Sequence, residues 1–182
     1  CGLVRGRSAA EKMAHILDTF SRYAGRQLDI DERIYRSESE TGHRNRAIAH
    51  LLLAHGAMNV DPDAALDLYF RQCSIRVTAI DLARIGATFA NMGKNPVTSR
   101  LTFDLQAVRS TMSIMFTCGM YDYSGHWAYD VGIPAKSGVG GGILGVGRAS
   151  GAPPRLVELT WVPTGADKAP DLAAPHLALV GK

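Results

Sequence analysis

Apolar residues recur at steps of three and four through the first two-thirds of the chain, which is the spacing of amphipathic helices. Met13, Ile16, Leu17, Phe20 and Ala24 mark the first helix, with Ser8 and Glu11 placed as a capping box at its start and Gly25 as its stop. A second is expected from about Asn45 to His55, with Ile48, Leu51 and Leu52 on its buried stripe and Gly56 as terminator. Asp61 followed by Pro62 opens a third, carrying Leu66, Tyr69 and Phe70. Thr78 and Asp81 form another capping box before Leu82, Ile85 and Phe89, and that helix is expected to end at Gly93. A fifth begins near Asp104 and runs through Val108, Met112 and Met115 towards Cys118.

From Trp127 the pattern changes to short apolar runs, Trp127 to Val131 and Ile143 to Val146, punctuated by Gly132, Pro134, Gly138 and the glycines at 140 to 142. These read as strands. After Gly147 the chain is rich in Pro, Ala and Gly, and its only expected strand is Leu156 to Val162. Helices followed by sheet imply an α+β layer architecture, whose antiparallel strands are expected to pair with others outside this chain. Residues 1–146 are read as part of one domain and 147–182 as a divergent tail.

Composition narrows the possibilities. With 182 residues, 46% hydrophobic and 20% charged, the chain suits one globular domain or most of one. The net charge of +3 comes from 20 basic and 17 acidic residues that are mixed along the sequence, so nucleic acid is not an expected partner. No apolar run approaches the roughly 18 residues of a membrane span, and no secretory signal pattern opens the chain. The cysteines Cys1, Cys73 and Cys118 are odd in number and form no CxxC pair, which fits a cytoplasmic protein without a disulfide framework; Cys73 and Cys118 are expected to be buried and inert. The step from His50 to His55 misses the i, i+4 spacing of two metal ligands on one helical face, and His43 does not repair it, so neither metal nor cofactor is expected.

Candidate chemistry lies in segments 35–45 (YRSESETGHRN), 68–74 (LYFRQCS), 118–125 (CGMYDYSG) and 133–142 (IPAKSGVGGG). Taken alone, Lys136-Ser137-Gly138 is a common tripeptide, and Glu38 and Glu40 read as solvated charges on a loop and helix start. The glycines around Val139 permit close backbone approach, so its peptide N–H could face a developing oxyanion. At an expected helix end a phenol such as Tyr121 could project into a cleft, and it could move a proton only if a nearby cation, for which Lys136 is the candidate, stabilised its phenolate.

In this order, these four blocks resemble the serine-dependent glutaminase family, from about Ser8 to Ile143. The resemblance implies a β-lactamase-like and penicillin-binding-protein-like serine hydrolase fold, L-glutamine as substrate, and a homo-oligomer, often a tetramer. It also implies that Glu38 and Asn45 contact the amino-acid end, that Tyr69 lines the pocket, that Tyr121 lies beside the nucleophile and that Val139 lends its amide to the oxyanion hole. Selectivity for glutamine needs an anion for its α-ammonium and donors for its α-carboxylate.

The chain departs from the family at both ends. The family's nucleophile and base form a Ser-x-x-Lys pair upstream of the Glu38 block, and the sequence contains no Ser-x-x-Lys. A fragment lacking the family's N-terminal third and inactive alone is therefore expected. Past Ile143 the likeness stops abruptly, which implies a shifted reading frame near Gly145. Two alternatives stand beside the glutaminase reading: a non-catalytic remnant that keeps amino-acid binding or subunit contacts, and a penicillin-recognising hydrolase, which the absent Ser-Asp-Asn-type motif disfavours.

Overall fold

The computed structural model describes residues 1–138, 142–147 and, for the backbone, 157–161. The chain divides into two compact units, 1–22 with 26–76, and 23–25 with 77–182.

The first unit is built on helices. Helix α1 spans Ala9–Ala24; Ser8 Oγ accepts from Glu11 N–H at 3.1 Å, while the Glu11 carboxylate accepts from Arg7 N–H, one residue earlier than a strict capping box. Gly25 sits at φ +71°, the left-handed conformation that closes a helix. Helix α2, Glu32–Thr41, turns the segment expected as a loop into a capped helix, with Asp31 accepting from Arg33 and Ile34 N–H. Helix α3 is His43–Ala54 and helix α4 Pro62–Cys73; the latter opens on Asp61 as anticipated, a cap that contributes about 1 kcal/mol. Strands β1 (Asp29–Ile30) and β2 (Ile75–Arg76) pair antiparallel.

Ala49, Leu66 and Phe70 form this unit's core cluster, flanked by Tyr35 and Met58. Burying Phe70 to 1% exposure contributes about 1.5–3 kcal/mol. The expected stripe of α3 is not buried: Ile48, Leu51 and Leu52 are 46%, 58% and 41% exposed. Ala49, the small residue between them, is what meets α4, and Ile48 and Leu52 line an open cleft. Periodicity identifies an apolar face but not whether anything covers it.

Desolvation by itself would raise the Asp67 carboxyl on α4, but the Tyr35 hydroxyl and the Arg71 guanidinium outweigh it and hold the group below its ordinary value of 3.8. A depressed folded-state pKa means that the unfolded chain takes up the proton first, so the contribution is complete above about pH 5 and fades as pH falls through 3.8 and below the folded value. The wild-type chain should therefore lose slightly more stability across that acid range than Asp67→Asn, the difference staying small because solvent screens the Asp67–Arg71 pair. Urea midpoints followed by far-ultraviolet circular dichroism check this, and parallel pH dependences would refute it.

The second unit carries the sheet. Helix α5 (Ala79–Ala90) has the expected capping box in full, Thr78 Oγ1 accepting from Asp81 N–H at 3.2 Å and Asp81 Oδ2 accepting from Thr78 N–H at 2.8 Å. Helix α6 is Leu105–Cys118, capped by Asp104. The run expected as a strand at Trp127 to Val131 instead forms the end of helix α7, Ser124–Asp130, with Val131 as its C-cap. An apolar run of five residues suits either period; here the amides of Val131 and Gly132 both return to the Trp127 carbonyl, Gly132 stops the helix at φ +73°, and Trp127 Nε1 donates to the Ile133 carbonyl at 2.8 Å.

Strands β3 (Ala135–Ser137), β4 (Gly142–Val146) and β5 (Val157–Trp161) form an antiparallel sheet in that order, Lys136 opposite Leu144 and Gly142 opposite Trp161. Both neighbours of β4 come from within the chain, and β5 comes from the tail. Both faces of β4 are covered. Ile143 joins Met120, Trp127 and Ala135 in one cluster, while Leu144 and Val146 join Ala90, Phe89, Met112 and Met115 in another. The order of helices and antiparallel sheet is the expected α+β arrangement. No helix among the described residues is long and apolar enough to cross a membrane.

Candidate active site

In the first unit the candidate residues converge from three helices. Glu38 lies half-buried on α2. Gly42 joins α2 to α3, and a Cβ there would strike the Phe70 ring and stand 2.7 Å from the Glu38 carbonyl oxygen, so only glycine fits the junction. Asn45 follows on the first turn of α3 and shares an apolar cleft with Tyr69, together with Ile48, Leu52, Met58 and Leu66. Tyr69 is 38% exposed, at the cleft. Cys73, one turn further along α4, is exposed where burial was expected. Partial desolvation raises its thiol pKa, a hydrogen bond from Tyr69 lowers it, and the Glu38 charge raises it again, which puts these three side chains in one neighbourhood. An anionic carboxylate, a phenol and an amide beside an apolar wall can bind an ammonium and hydrogen-bond a small polar molecule.

In the second unit the chemistry sits where α6 gives way to the sheet. The Gly119 carbonyl accepts from Ser137 N–H at 3.1 Å and Ser137 Oγ at 3.4 Å, tying the helix end to β3. Tyr121 adopts φ +54°, a left-handed conformation that costs a non-glycine residue on the order of 1 kcal/mol or more and is concentrated at functional sites. Ser124 holds it there by donating to the Tyr121 carbonyl at 2.8 Å and accepting from Met120 N–H at 3.1 Å. The phenol side chain is thereby turned outward, 62% exposed, and Lys136 Nζ lies 4.4 Å from its ring centroid. The structure therefore brings Tyr121 and Lys136 together, the cation meeting the ring face. Lys136 Nζ also donates to the Ser137 carbonyl. Val139, Gly140 and Gly141 lie outside the described residues; Gly138 N–H donates to the Gly142 carbonyl at 2.8 Å across them. Cys118 is exposed, against expectation, and its thiol donates to the Ile114 carbonyl at 3.3 Å.

Gly119 shapes the candidate site and was passed over by sequence reasoning, as were Gly42 and Ser124. At φ −68° it needs no special backbone freedom; a Cβ there would overlap the Ala135 carbonyl oxygen and crowd that of Met115. Backbone cannot yield as a side-chain tip can. Gly119→Ala is expected to cost roughly 1–3 kcal/mol and to loosen the Tyr121 turn, whereas Gly125→Ala, with open space at its Cβ, should be close to neutral. Thermal unfolding with near-ultraviolet circular dichroism compares them, and equal melting temperatures would refute the close approach.

A family model described as Glutaminase matches residues 1–153, a span that contains every candidate above. The chain belongs to the glutaminase family. It is 48% identical over 144 residues to a glutaminase of Trichormus variabilis, covering 79% of this chain and 43% of that protein. Against glutaminase 2 of Yersinia pestis it is 45% identical over 149 residues, covering 82% of this chain and 44% of the relative. Among solved structures, a Bacillus subtilis glutaminase in covalent complex with 5-oxo-L-norleucine, formed by reaction with 6-diazo-5-oxo-L-norleucine, superposes with a TM-score of 0.75 at 36% identity, covering 79% of this chain and 50% of that one. The fold is thus that of the glutaminases, β-lactamase-like and in part, since the chain spans less than half the length of these curated relatives.

Proposed function

We propose that this chain is part of a glutaminase that hydrolyses L-glutamine to L-glutamate and ammonia through a serine acyl-enzyme. Family membership across residues 1–153 carries this reading. The covalent adduct of the Bacillus subtilis relative with a glutamine-like diazo ketone supports a nucleophilic mechanism in the family. Glu38 binds the α-ammonium, Asn45 the same amino-acid end, and Tyr69 walls the pocket. Tyr121 relays a proton under the influence of Lys136, and the Val139 amide serves the oxyanion. The nucleophile and base are a Ser-x-x-Lys pair; these 182 residues contain no such pattern, and we assign it to the part of the relatives that this chain does not span.

The complete protein is proposed as a cytoplasmic homotetramer without metal, cofactor or nucleic-acid partner. Residues 1–146 form its glutaminase portion, and 147–182 are a tail read in a shifted frame, which translation of the other two frames near Gly145 tests. A second reading applies to the polypeptide by itself. Glu38, Asn45 and Tyr69 all stand in the first unit, so amino-acid binding can persist where turnover does not.

The experiment joins these residues to the upstream portion of the Trichormus variabilis relative and assays glutamine and a chromogenic β-lactam side by side. Ammonia release from glutamine alone is expected. Hydrolysis of the β-lactam without ammonia release would move the chain to the penicillin-recognising class.

A further inference from the structure

We infer that Tyr35, Asp67 and Arg71 form a positioning network that sets Glu38 against Tyr69. Helix α2 buries no side chain completely; Tyr35, half-buried, rests against the Ala49, Leu66 and Phe70 cluster. The helix is also pinned on both sides of Glu38. On the C-terminal side, Gly42 lies so close to Phe70 that a Cβ would strike the ring. On the N-terminal side, one turn before Glu38, the Tyr35 hydroxyl donates to Asp67. Arg71 completes the pin: its Nε donates to the other Asp67 oxygen at 3.0 Å, its guanidinium lies 4.1 Å above the Tyr35 ring centroid, and it reaches Glu32 at 4.0 Å.

Sequence spacing gives these contacts their consequence. Asp67 and Arg71 stand two residues on either side of Tyr69, and Tyr35 stands three before Glu38, so the network joins the turn that carries the carboxylate to the turn that carries the phenol. Side-chain exposures of 31% for Arg71 and 40% for Asp67 mean that solvent screens the pair and leaves it little weight in global stability. Its directional, charge-assisted bonds fix distance and rotation instead. An ångström of misplacement at a binding group is enough to weaken a site. The network acts by holding Glu38 of α2 at its place against α4, whose own helix keeps Tyr69 in position, without contact to substrate.

The inference rests on the proposed role of Glu38, but its test does not require activity. Cys73 is the reporter, because beside the desolvation that raises its thiol pKa, the Tyr69 hydrogen bond lowers it and the Glu38 charge raises it. The pH midpoint of Cys73 alkylation by iodoacetamide is measured on the whole 182-residue chain, with the modified site assigned by mass spectrometry. Glu38→Gln should lower the midpoint by removing a negative charge from the thiolate's surroundings. Tyr35→Phe should lower it in the same direction, and should add nothing in the Glu38→Gln background. Asp67→Asn should behave like Tyr35→Phe; Arg71→Lys, which keeps the charge but loses the planar stack, serves if either unfolds. An unshifted midpoint in Tyr35→Phe, a shift that persists without Glu38, or a Glu38→Gln chain identical to wild type would each overturn the inference. Protection of Cys73 by L-glutamine tests the substrate separately: the expected shifts without protection would remove glutamine from the pocket and leave the network standing.

Discussion

The 182-residue polypeptide is expected to release no ammonia from L-glutamine above a boiled control. In serine hydrolases, loss of the nucleophile costs about a million-fold in turnover, and what survives depends on an intact oxyanion hole and pocket. The residues here that could substitute are poorly placed for it. Ser137 Oγ is engaged with the Gly119 carbonyl at 3.4 Å, and the Cys118 thiol donates to its own helix at Ile114. Activation needs a base at hydrogen-bond distance, and a carbonyl oxygen is no such base. The assay requires a homogeneous preparation of verified mass with a native near-ultraviolet spectrum. Enzyme-like turnover in it would overturn the prediction and direct attention to Ser137 and Cys118.

When the chain is joined to the upstream portion of a relative, Glu38→Gln should raise KM for glutamine far more than it lowers kcat. An ammonium bound in a partly desolvated pocket loses its charged partner, and truncating one member of a buried pair costs roughly 2–5 kcal/mol. Glu38 is only half-buried, which points to the low end, about 2 kcal/mol or ~30-fold in KM. The amino-acid end does not react, so its contacts are much the same in ground and transition states, and their loss appears in KM. An unchanged KM would remove Glu38 from the site and with it the purpose proposed for the Tyr35 network.

Local chemistry determined much of this protein from sequence alone. Asp61-Pro62, the Thr78–Asp81 box and Asp104 marked helix starts that the structure places within a residue of expectation, because a cap is settled by side chains three or four positions apart. The strand at Ile143 and the one in the tail were legible as short apolar runs between breakers, and the four family blocks named the candidate residues. Tertiary structure decided the rest. Trp127 to Val131 became helical because their amides and the Trp127 indole found partners within the turn and at Ile133, which an ambiguous run of five residues does not announce. Ile48, Leu51 and Leu52 remained exposed because one small neighbour, Ala49, made the contact with α4. Tyr121 and Lys136 met only through the carbonyl of Gly119 and the left-handed turn behind it, and Tyr35 reached Asp67 across 32 residues. Sequence patterns encode what a residue does with its neighbours along the chain; which distant groups satisfy it is settled by packing and hydrogen bonding in the folded state.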